Sequence, residues 1–159
     1  MVVHRSSASN LSEFVNSSTF QIRDYAASDL EQVAEVYNLS RAPLDCFSTD
    51  EVTAAQFAPL IRGEDLQVAM SGEFILGFVA VWRPETFIHH LYILPAHQRE
   101  GIARALIQSC VQRYGYPLSL KSLRANAQAC AFYEKNDWMA LETGTGPDGP
   151  YNYYWLRDV

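Results

Sequence analysis

The fold is decided by residues 91–104, which read LYILPAHQREGIAR. The pattern predicts a strand that is stopped by Pro95 and, after a six-residue turn over residues 95–100, a helix that begins at Gly101. Free N–H groups at a helix start attract anions, and the helix dipole adds to this attraction. Gly101 allows the backbone to approach a phosphate closely, and Ala103 is small enough for the same purpose. By its spacing alone, the turn fits a phosphate site and an ordinary strand–helix connection equally well.

The rest of the chain predicts one domain of strands and helices. Residues 1–18 are rich in Ser and Asn, lack periodicity, and are expected to form a mobile leader before a single domain over residues 19–159. Strands are predicted at residues 19–23, 66–70, 74–82, 86–93, 118–121, 138–143 and 151–157. Helices are predicted at residues 30–37, after a capping box of Ser28 and Glu31, from 49 or 50 to 60, at 101–114 and at 126–136. The alternating second half is typical of a parallel strand pair with crossover helices.

Composition argues against several classes of protein. With 48% apolar residues, the 159-residue chain can bury a core. Its net charge of −6, without a basic stripe, argues against a nucleic-acid partner. The longest apolar run, residues 74–82, is too short to span a membrane. Cys46, Cys110 and Cys130 are odd in number and lack CxxC spacing, which favours reduced thiols in the cytoplasm over disulfides or a metal site.

Two motifs resemble those of the GCN5-related N-acetyltransferase (GNAT) superfamily. Motif A has a strand and V-x-P followed by Q/R-x-x-G-x-G/A, and here Gln98, Gly101 and Ala103 fill its marked places. Motif B reads N-x-x-A-x-x-F-Y-x-K-x-G-F. Its places are filled by Asn126, Ala129, Phe132, Tyr133 and Lys135, with Asp137 for Gly and Trp138 for Phe. The change at Asp137 is mild because Asp tolerates the left-handed conformation that a helix end often needs.

The resemblance implies the GNAT fold, of the α/β class in its mixed α+β form. That fold has a central mixed, mostly antiparallel sheet of six to seven strands, flanked by four helices. Its parallel fourth and fifth strands splay apart and hold acetyl-CoA, with backbone groups of Leu91 and Ile93 on the pantetheine and N–H groups of residues 99–104 on the pyrophosphate. The residues implied to bind acetyl-CoA are Leu91, Tyr92, Ile93, Gln98, Arg99, Glu100, Gly101, Ile102, Ala103, Arg104, Asn126, Ala129, Phe132, Tyr133 and Lys135. No metal is implied.

Acetyl transfer to an amine requires a proton acceptor for the amine, a hydrogen-bond donor for the departing thiolate, and stabilisation of an oxyanion. The resemblance assigns the donor to Tyr133 and the oxyanion contact to a backbone N–H near Tyr92. The base stays open between His89, His90 and water, because adjacent strand residues point to opposite faces unless a bulge intervenes. His89 shares the parity of Phe87, the position at which relatives place a base.

The resemblance places the acceptor between two loops, residues 41–48 and 143–151, and the second loop is too long for a simple hairpin turn. Asp45 and Asp148 are candidates to hold a cationic acceptor, although Asp148 also fits a plain Asp-Gly turn. The expected acceptor is a primary amine of a small molecule or a peptide, with no membrane partner, and assembly as a homodimer stays open. The alternatives are a CoA-binding sensor without catalysis and a domain that does not bind CoA.

Overall fold

The computed structural model of the protein describes residues 20–48 and 50–158, so the leader predicted for residues 1–18 lies outside the described residues. The strands are β1 (Gln21–Asp24), β2 (Asp65–Ser71), β3 (Phe74–Trp82), β4 (Phe87–Ile93), β5 (Leu118–Leu123), β6 (Met139–Gly146) and β7 (Gly149–Leu156). The α-helices are α1 (Leu30–Arg41), α2 (Ala54–Phe57), α3 (Ile102–Tyr114) and α4 (Ala127–Lys135). This order of strands and α-helices is the one that the sequence predicts.

The seven strands form one sheet in the order β1-β2-β3-β4-β5-β7-β6. The pair β4–β5 is parallel, and every other neighbouring pair is antiparallel. Seven of the nine residues of β3 are buried, which explains its continuous apolar sequence, since both faces of this inner strand are covered. The mixed, mostly antiparallel sheet implied by the motifs is therefore confirmed.

Helices cover both faces of the sheet and create two apolar cores. On one face, Val33 of α1 and Phe57 of α2 pack against Phe78 of β3. On the other face, Leu106 of α3 and Tyr133 of α4 lie in the second core. Complete burial of a side chain such as Phe57 stabilises the fold by about 1.5–3 kcal/mol. We call these two sides of the sheet the α1 face and the α3 face.

The parallel pair β4–β5 is closed at one end and open at the other. At the closed end, the N–H of Ser119 donates to the carbonyl of Thr86 at 3.2 Å, and the Thr86 hydroxyl donates to the carbonyl of Pro117 at 2.8 Å. All residues of these two strands are described, and the strands pair only at Phe87–Ser119 and Ile88–Leu120. Beyond them the strands separate and border a gap, which confirms the predicted splay.

The start of α1 differs from the prediction. Ser28 forms no side-chain cap, and the 3₁₀ turn Ala27–Asp29 precedes the helix. The carboxylate of Asp29 accepts from the N–H of Ala26 at 2.8 Å and from the guanidinium of Arg23 at 2.8 Å. The Arg23 hydrogen bond lowers the pKa of Asp29. The capping box of Ser28 and Glu31 is thus wrong, because the helical turn begins earlier, at Ala27, and the Asp29 side chain caps it by accepting from the N–H of Ala26.

The start of α2 also differs, because the helix begins at Ala54 rather than near residue 50. Thr53 accepts from the N–H of Gln56 at 3.1 Å, and the Gln56 side chain accepts from the N–H of Thr53 at 2.9 Å. This reciprocal capping box fixes the start of the helix. A 3₁₀ turn containing Pro59 then ends it.

The last hairpin is tighter than predicted. Strands β6 and β7 pair as far as Gly146–Gly149, which leaves Pro147 and Asp148 as a two-residue turn. The long loop predicted over residues 143–151 is therefore wrong, although the Asp-Gly turn at Asp148 is confirmed. Pairing extends this far because Gly144 has no side chain, and the Tyr151 ring fills the space where a Cβ would lie.

Candidate active site

Backbone groups of β4 point into the gap. The N–H of Leu94 donates to the carbonyl of Leu76 on β3 at 2.8 Å. Hydrogen bonding alternates along an antiparallel pair, so the backbone N–H and carbonyl of Tyr92 also point toward β3. The N–H and carbonyl groups of Leu91 and Ile93 point the other way, toward β5. The backbone N–H groups of this part of β4 that face the gap are therefore those of Leu91 and Ile93, whereas that of Tyr92 faces β3.

One of these gap-facing groups already has protein partners. The carbonyl of Ile93 accepts from the Ser40 hydroxyl at 3.0 Å and from the Gln98 side-chain amide at 3.4 Å. Gln98 therefore braces the turn against the end of β4. The N–H and carbonyl of Leu91 and the N–H of Ile93 are directed at the space between the strands.

The turn between β4 and α3, residues 98–104, presents further N–H groups and is called the α3 turn below. Arg99 and Gly101 have left-handed φ values of 65° and 83°. The first backbone bond of the helix runs from the N–H of Ala105 to the carbonyl of Gly101 at 3.0 Å, so the N–H groups of residues 102–104 have no helical partner. A Cβ at Gly101 would meet no atom within 4 Å. The space before the helix is open, and its donors suit an anion.

On the α3 face, Tyr133 lies in an aromatic cluster. Its ring centroid is 5.4 Å from that of Phe132, 5.6 Å from that of Trp138 and 5.5 Å from that of Tyr154. The side chain is 8% exposed. Burial raises the pKa of Tyr133 well above its ordinary value, and the phenol of Tyr92 adds to the increase. The phenol therefore stays protonated and can donate a hydrogen bond, whereas complete proton transfer from it is strongly uphill.

A β-bulge at His89 places both histidines on the α1 face. Ala80 of β3 stands opposite His90 and Val81 opposite Ile88, so His89 has no partner on β3. The two imidazole centroids lie 6.2 Å apart. The bulge that would bring the two side chains together is therefore present, and their surroundings distinguish them.

His90 is enclosed by aromatic rings. Its ring centroid lies 5.8–6.4 Å from those of Tyr37, Phe57, Phe78 and Tyr92. Nε2 donates to the carbonyl of Leu60 at 3.4 Å, and Nδ1 has no partner among the described residues. Burial lowers the pKa of His90 to about 4. The imidazole is therefore neutral near pH 7, and it is half-buried with its Nδ1 shielded from solvent.

His89 is more open, with 45% of its side chain exposed, and its Nδ1 contacts the carboxylate of Glu64. Glu64 lies between α2 and β2, and its side chain is only 3% exposed. Burial and the Lys121 ammonium lower the pKa of His89, whereas the neighbouring carboxylate acts in the opposite direction. Sequence reasoning missed Glu64, because a Gly-Glu-Asp stretch between two elements carries only a turn signal.

An aromatic surface continues from His89 across the α1 face. The Phe87 ring lies 4.8 Å from that of His89 and 6.0 Å from that of Tyr153, which is 5.3 Å from Trp155. The Lys121 ammonium lies 5.6 Å from the Tyr153 centroid. The space beside His89 is thus walled by aromatic rings and one cation. Tyr154, which lies between Tyr153 and Trp155 on the same strand, is fully buried on the α3 face.

Residues 24–149 match a family model described as "Acetyltransferase (GNAT) domain", which covers most of the chain. The chain belongs to the GNAT acetyltransferase family. A search of curated protein sequences found no match. The family assignment therefore rests on this match and agrees with the splayed sheet.

Solved structures share the GNAT fold at low sequence identity. A GCN5-related N-acetyltransferase from Rhodopseudomonas palustris has a TM-score of 0.73 and 19% identity, with 88% of this chain and 96% of that chain covered. The yncA protein of Salmonella typhimurium, solved with its cofactor acetyl-CoA, has a TM-score of 0.66 and 16% identity, with 88% and 94% covered. The ribosomal-protein-S18-alanine N-acetyltransferase of Escherichia coli has a TM-score of 0.68 and 17% identity, with 87% and 93% covered.

The GNAT motif residues of α4 divide into structural and exposed groups. Asn126 accepts from the N–H of Ala129 at 3.2 Å and so caps the helix. Phe132 is half-buried beside Tyr133. Lys135 is exposed in the last turn of the helix. Asn126 and Ala129 therefore have a local role in α4 that the motif alone does not reveal.

The charged residues of the α3 turn are at the surface. Arg99 and Arg104 are exposed, and neither forms an ion pair within the described part of the chain. Glu100 is engaged with Nδ1 of His97 at 3.1 Å. The two guanidinium groups are thus available to an anion at the helix start, while the nearby carboxylate already has a partner.

A cleft of about 370 Å³ lies between the loop after α1 and the start of α4. It is lined by Pro43, Leu44, Asp45, Cys46, Ala125, Asn126, Ala127 and Gln128. Nearby, the Arg41 guanidinium lies 4.5 Å from the Tyr37 ring and 4.2 Å from the Phe47 ring, and it donates to the Tyr92 hydroxyl at 3.5 Å. Asp45 therefore lines a cleft, whereas Asp148 lies in the hairpin turn.

Neither a metal-binding cluster nor a membrane-spanning helix occurs within residues 20–48 and 50–158. In this part of the chain no group of three or more His, Cys, Asp or Glu side chains is placed to hold a metal ion. No helix there has the length and apolar character to cross a bilayer. Cys46, Cys110 and Cys130 are free thiols. Burial raises the pKa of Cys110 to about 12, which makes it a poor nucleophile.

Proposed function

We propose that the protein transfers an acetyl group from acetyl-CoA to the primary amine of a small molecule or peptide, by direct attack within a ternary complex. The observation that carries the proposal is the gap between β4 and β5. It ends at the unpartnered N–H groups of the α3 turn. The protonated phenol of Tyr133 lies on the α3 face of the sheet, and the accessible imidazole of His89 lies on its α1 face.

The chain's own groups suit acetyl-CoA. Unpaired strand groups of Leu91 and Ile93 would satisfy the amides of pantetheine, as an added strand would. The N–H groups of residues 102–104 would hold the pyrophosphate, with Arg99 and Arg104 near enough along the chain to add positive charge. The neighbour from Salmonella typhimurium, solved with acetyl-CoA, supports this assignment.

The reaction needs few further groups. Acetyl-CoA supplies the acetyl thioester; the new bond joins the amine nitrogen to the carbonyl carbon, and the carbon–sulfur bond breaks. A backbone N–H of Leu91 or Ile93 stabilises the negative charge on the carbonyl oxygen. Tyr133 donates a hydrogen bond to the departing sulfur, and because its pKa is raised, solvent completes the protonation of the thiolate.

We propose that His89, rather than His90, is the base that accepts the proton of the amine. A base must be neutral and reachable by the acceptor. His90 is neutral but enclosed by four rings and held at Leu60, whereas His89 is accessible and borders the aromatic surface formed by Phe87, Tyr153 and Trp155. A primary amine that docks on this surface can pass its proton to the imidazole, directly or through one water.

The test is turnover with a panel of amines, measured as release of the CoA thiol. We expect thiol release to depend on both acetyl-CoA and an amine, and mass spectrometry to find one added acetyl group on the amine. A protein that binds acetyl-CoA but releases no thiol with any amine would be a sensor. A protein whose thermal stability does not change with millimolar acetyl-CoA would lack the cosubstrate site altogether.

A further inference from the structure

A buried carboxylate lies behind His89. Glu64 follows the 3₁₀ turn Ala58–Ile61, and its N–H donates to the carbonyl of Ile61 at 3.1 Å. Its side chain reaches under the β4 bulge, where one oxygen contacts Nδ1 of His89. Glu64 and His89 are distant in the sequence, so the sequence alone does not indicate their contact. The bulge in β4 turns the imidazole toward the carboxylate.

The environment of Glu64 is unusual for a carboxylate. The side chain is 3% exposed, and its second oxygen, Oε2, is buried without a partner among the described residues. Withdrawing a carboxylate from water is unfavourable unless a hydrogen bond or a cation compensates. His89 is the group that provides this compensation, so the two side chains form a unit rather than an accidental contact.

We propose that Glu64 is a positioning residue that fixes the tautomer of His89. A carboxylate oxygen can only accept a hydrogen bond, so Nδ1 carries the proton and Nε2 keeps its lone pair. Nε2 is then the atom that takes the proton from the acceptor amine, and Glu64 stabilises the imidazolium that results. This inference rests on the proposed function, because it assigns a role to Glu64 within the same reaction.

Three groups set the charge state of His89. Burial and the Lys121 ammonium of β5 lower the pKa of His89, and the adjacent His90 is neutral. A carboxylate that contacts an imidazole favours its protonated form, so Glu64, from the loop before β2, acts in the opposite direction. The active form is the neutral imidazole, so activity falls as the pH falls through the pKa of His89. Removal of the Glu64 charge should therefore shift the acidic limb of the rate profile to lower pH.

The first experiment needs no turnover. Heteronuclear NMR of the imidazole nitrogens in the enzyme without acetyl-CoA should find the Nδ1–H tautomer for His89 in the unchanged protein. In Glu64→Gln the side-chain amide can donate to Nδ1, so we expect a shift toward the Nε2–H tautomer. An Nε2–H tautomer in the unchanged protein, or no change in a folded Glu64→Gln variant, would overturn the proposal.

The second experiment is a double-mutant cycle. In the parent protein, where His89 is intact, Glu64→Gln should lower kcat roughly a hundredfold, which is the low end of what a general base contributes. In the His89→Ala variant the same substitution should have little effect on kcat. Glu73→Gln, in the β2–β3 turn, removes the same charge far from His89 and should leave kcat unchanged. An equal loss in both backgrounds, or no loss in either, would refute the positioning role. If His89→Ala is as active as the parent, the base assignment fails while the NMR result still tests the pair itself.

Discussion

In the proposed reaction, the α3 turn and the pair Tyr133–His89 act at the same gap, the first through main-chain groups and the second through side chains. The α3 turn consists of exposed main chain, with left-handed Arg99 and Gly101 before a helix start. Tyr133 and His89 act through side chains whose properties come from distant partners, aromatic rings in one case and Glu64 in the other. Backbone geometry can bind a charge without regard to neighbouring side chains, whereas proton chemistry depends on burial and charge. Changes at the α3 turn should therefore alter affinity, and changes at Tyr133 and His89 should alter rate.

The largest effect is expected for Tyr133→Phe. The substitution removes only the hydroxyl, so the ring remains in its cluster and the affinity for CoA should be retained. Loss of a donor in the transition state should lower kcat by about 10²- to 10⁴-fold. Steady-state kinetics with a good amine acceptor, together with CoA binding by calorimetry, measure both quantities.

Tyr154→Phe is the matched control for this variant, because its ring lies 5.5 Å from that of Tyr133 and is also buried. We expect it to leave kcat unchanged. Equal losses in the two variants would indicate a packing effect of the cluster, and full activity of Tyr133→Phe would leave the sulfur to solvent alone.

His89→Ala should have the next largest effect, a loss of roughly a hundredfold in kcat near neutral pH. The loss should shrink as the pH approaches the pKa of the acceptor amine, because the amine then loses its proton to solvent. The measurement is a pH–rate profile of both proteins. A profile with the same shape and height in the two proteins would assign the proton to water.

Gly101→Val tests the α3 turn. A side chain there projects into the open space before the helix and strains a left-handed residue, so the affinity for CoA should fall about tenfold or more, while kcat at saturation changes little. Gly115→Val is the matched control, since Gly115 has a φ of 76° at the other end of the same helix and open space around it. Equal CoA affinities of these two variants would contradict the assignment.

The smallest effect on rate is expected for His90→Phe, which keeps a ring among rings. Its consequence is on stability. The folded-state pKa of about 4 lies below the unfolded value of about 6.5, so the unfolded state binds more protons between these values. The contribution of His90 to the free energy of unfolding is therefore complete and independent of pH above about pH 6.5. It falls as the pH falls, by about 3 kcal/mol near pH 4, because only the unfolded state binds the proton readily.

Urea unfolding of the parent and of His90→Phe between about pH 4 and 6.5 isolates the contribution of His90 to the free energy of unfolding. All other titrating groups are the same in the two proteins. The variant should lose less stability than the parent on acidification. Parallel curves would mean that His90 is not neutral and buried, and a large loss of kcat would return it to the list of catalytic groups.

Local signals predicted much of this molecule. The strand–turn–helix of the α3 turn and the N-x-x-A-x-x-F-Y pattern are read within a few residues, and both motifs lie where the family resemblance implies. Left-handed Asp137, with a φ of 70°, was also anticipated from its place after a helix. Such features depend on capping and turn chemistry, which neighbouring residues determine.

Other features depend on contacts between distant segments and carry no local signal. The bulge at His89 arises from pairing with β3, and the Glu64 contact joins a loop to a strand. The sequence of the last hairpin predicts a long loop because Gly and Pro favour loops in isolation. In the structure, the Tyr151 ring over Gly144 allows pairing to continue. At the start of α1, Asp29 rather than Ser28 is the capping side chain, because Arg23 of β1 fixes its position by a hydrogen bond.

The bulge also affects how this protein is compared with its relatives. Alignments assume that equal positions in a strand point the same way, yet one extra residue inverts the sidedness of everything that precedes it in β4 relative to everything that follows. In a relative with a regular strand, the residue aligned with His89 or with His90 would face the opposite side of the sheet. Catalytic residues on this strand are therefore transferred correctly between relatives only when the pairing with β3 is matched first.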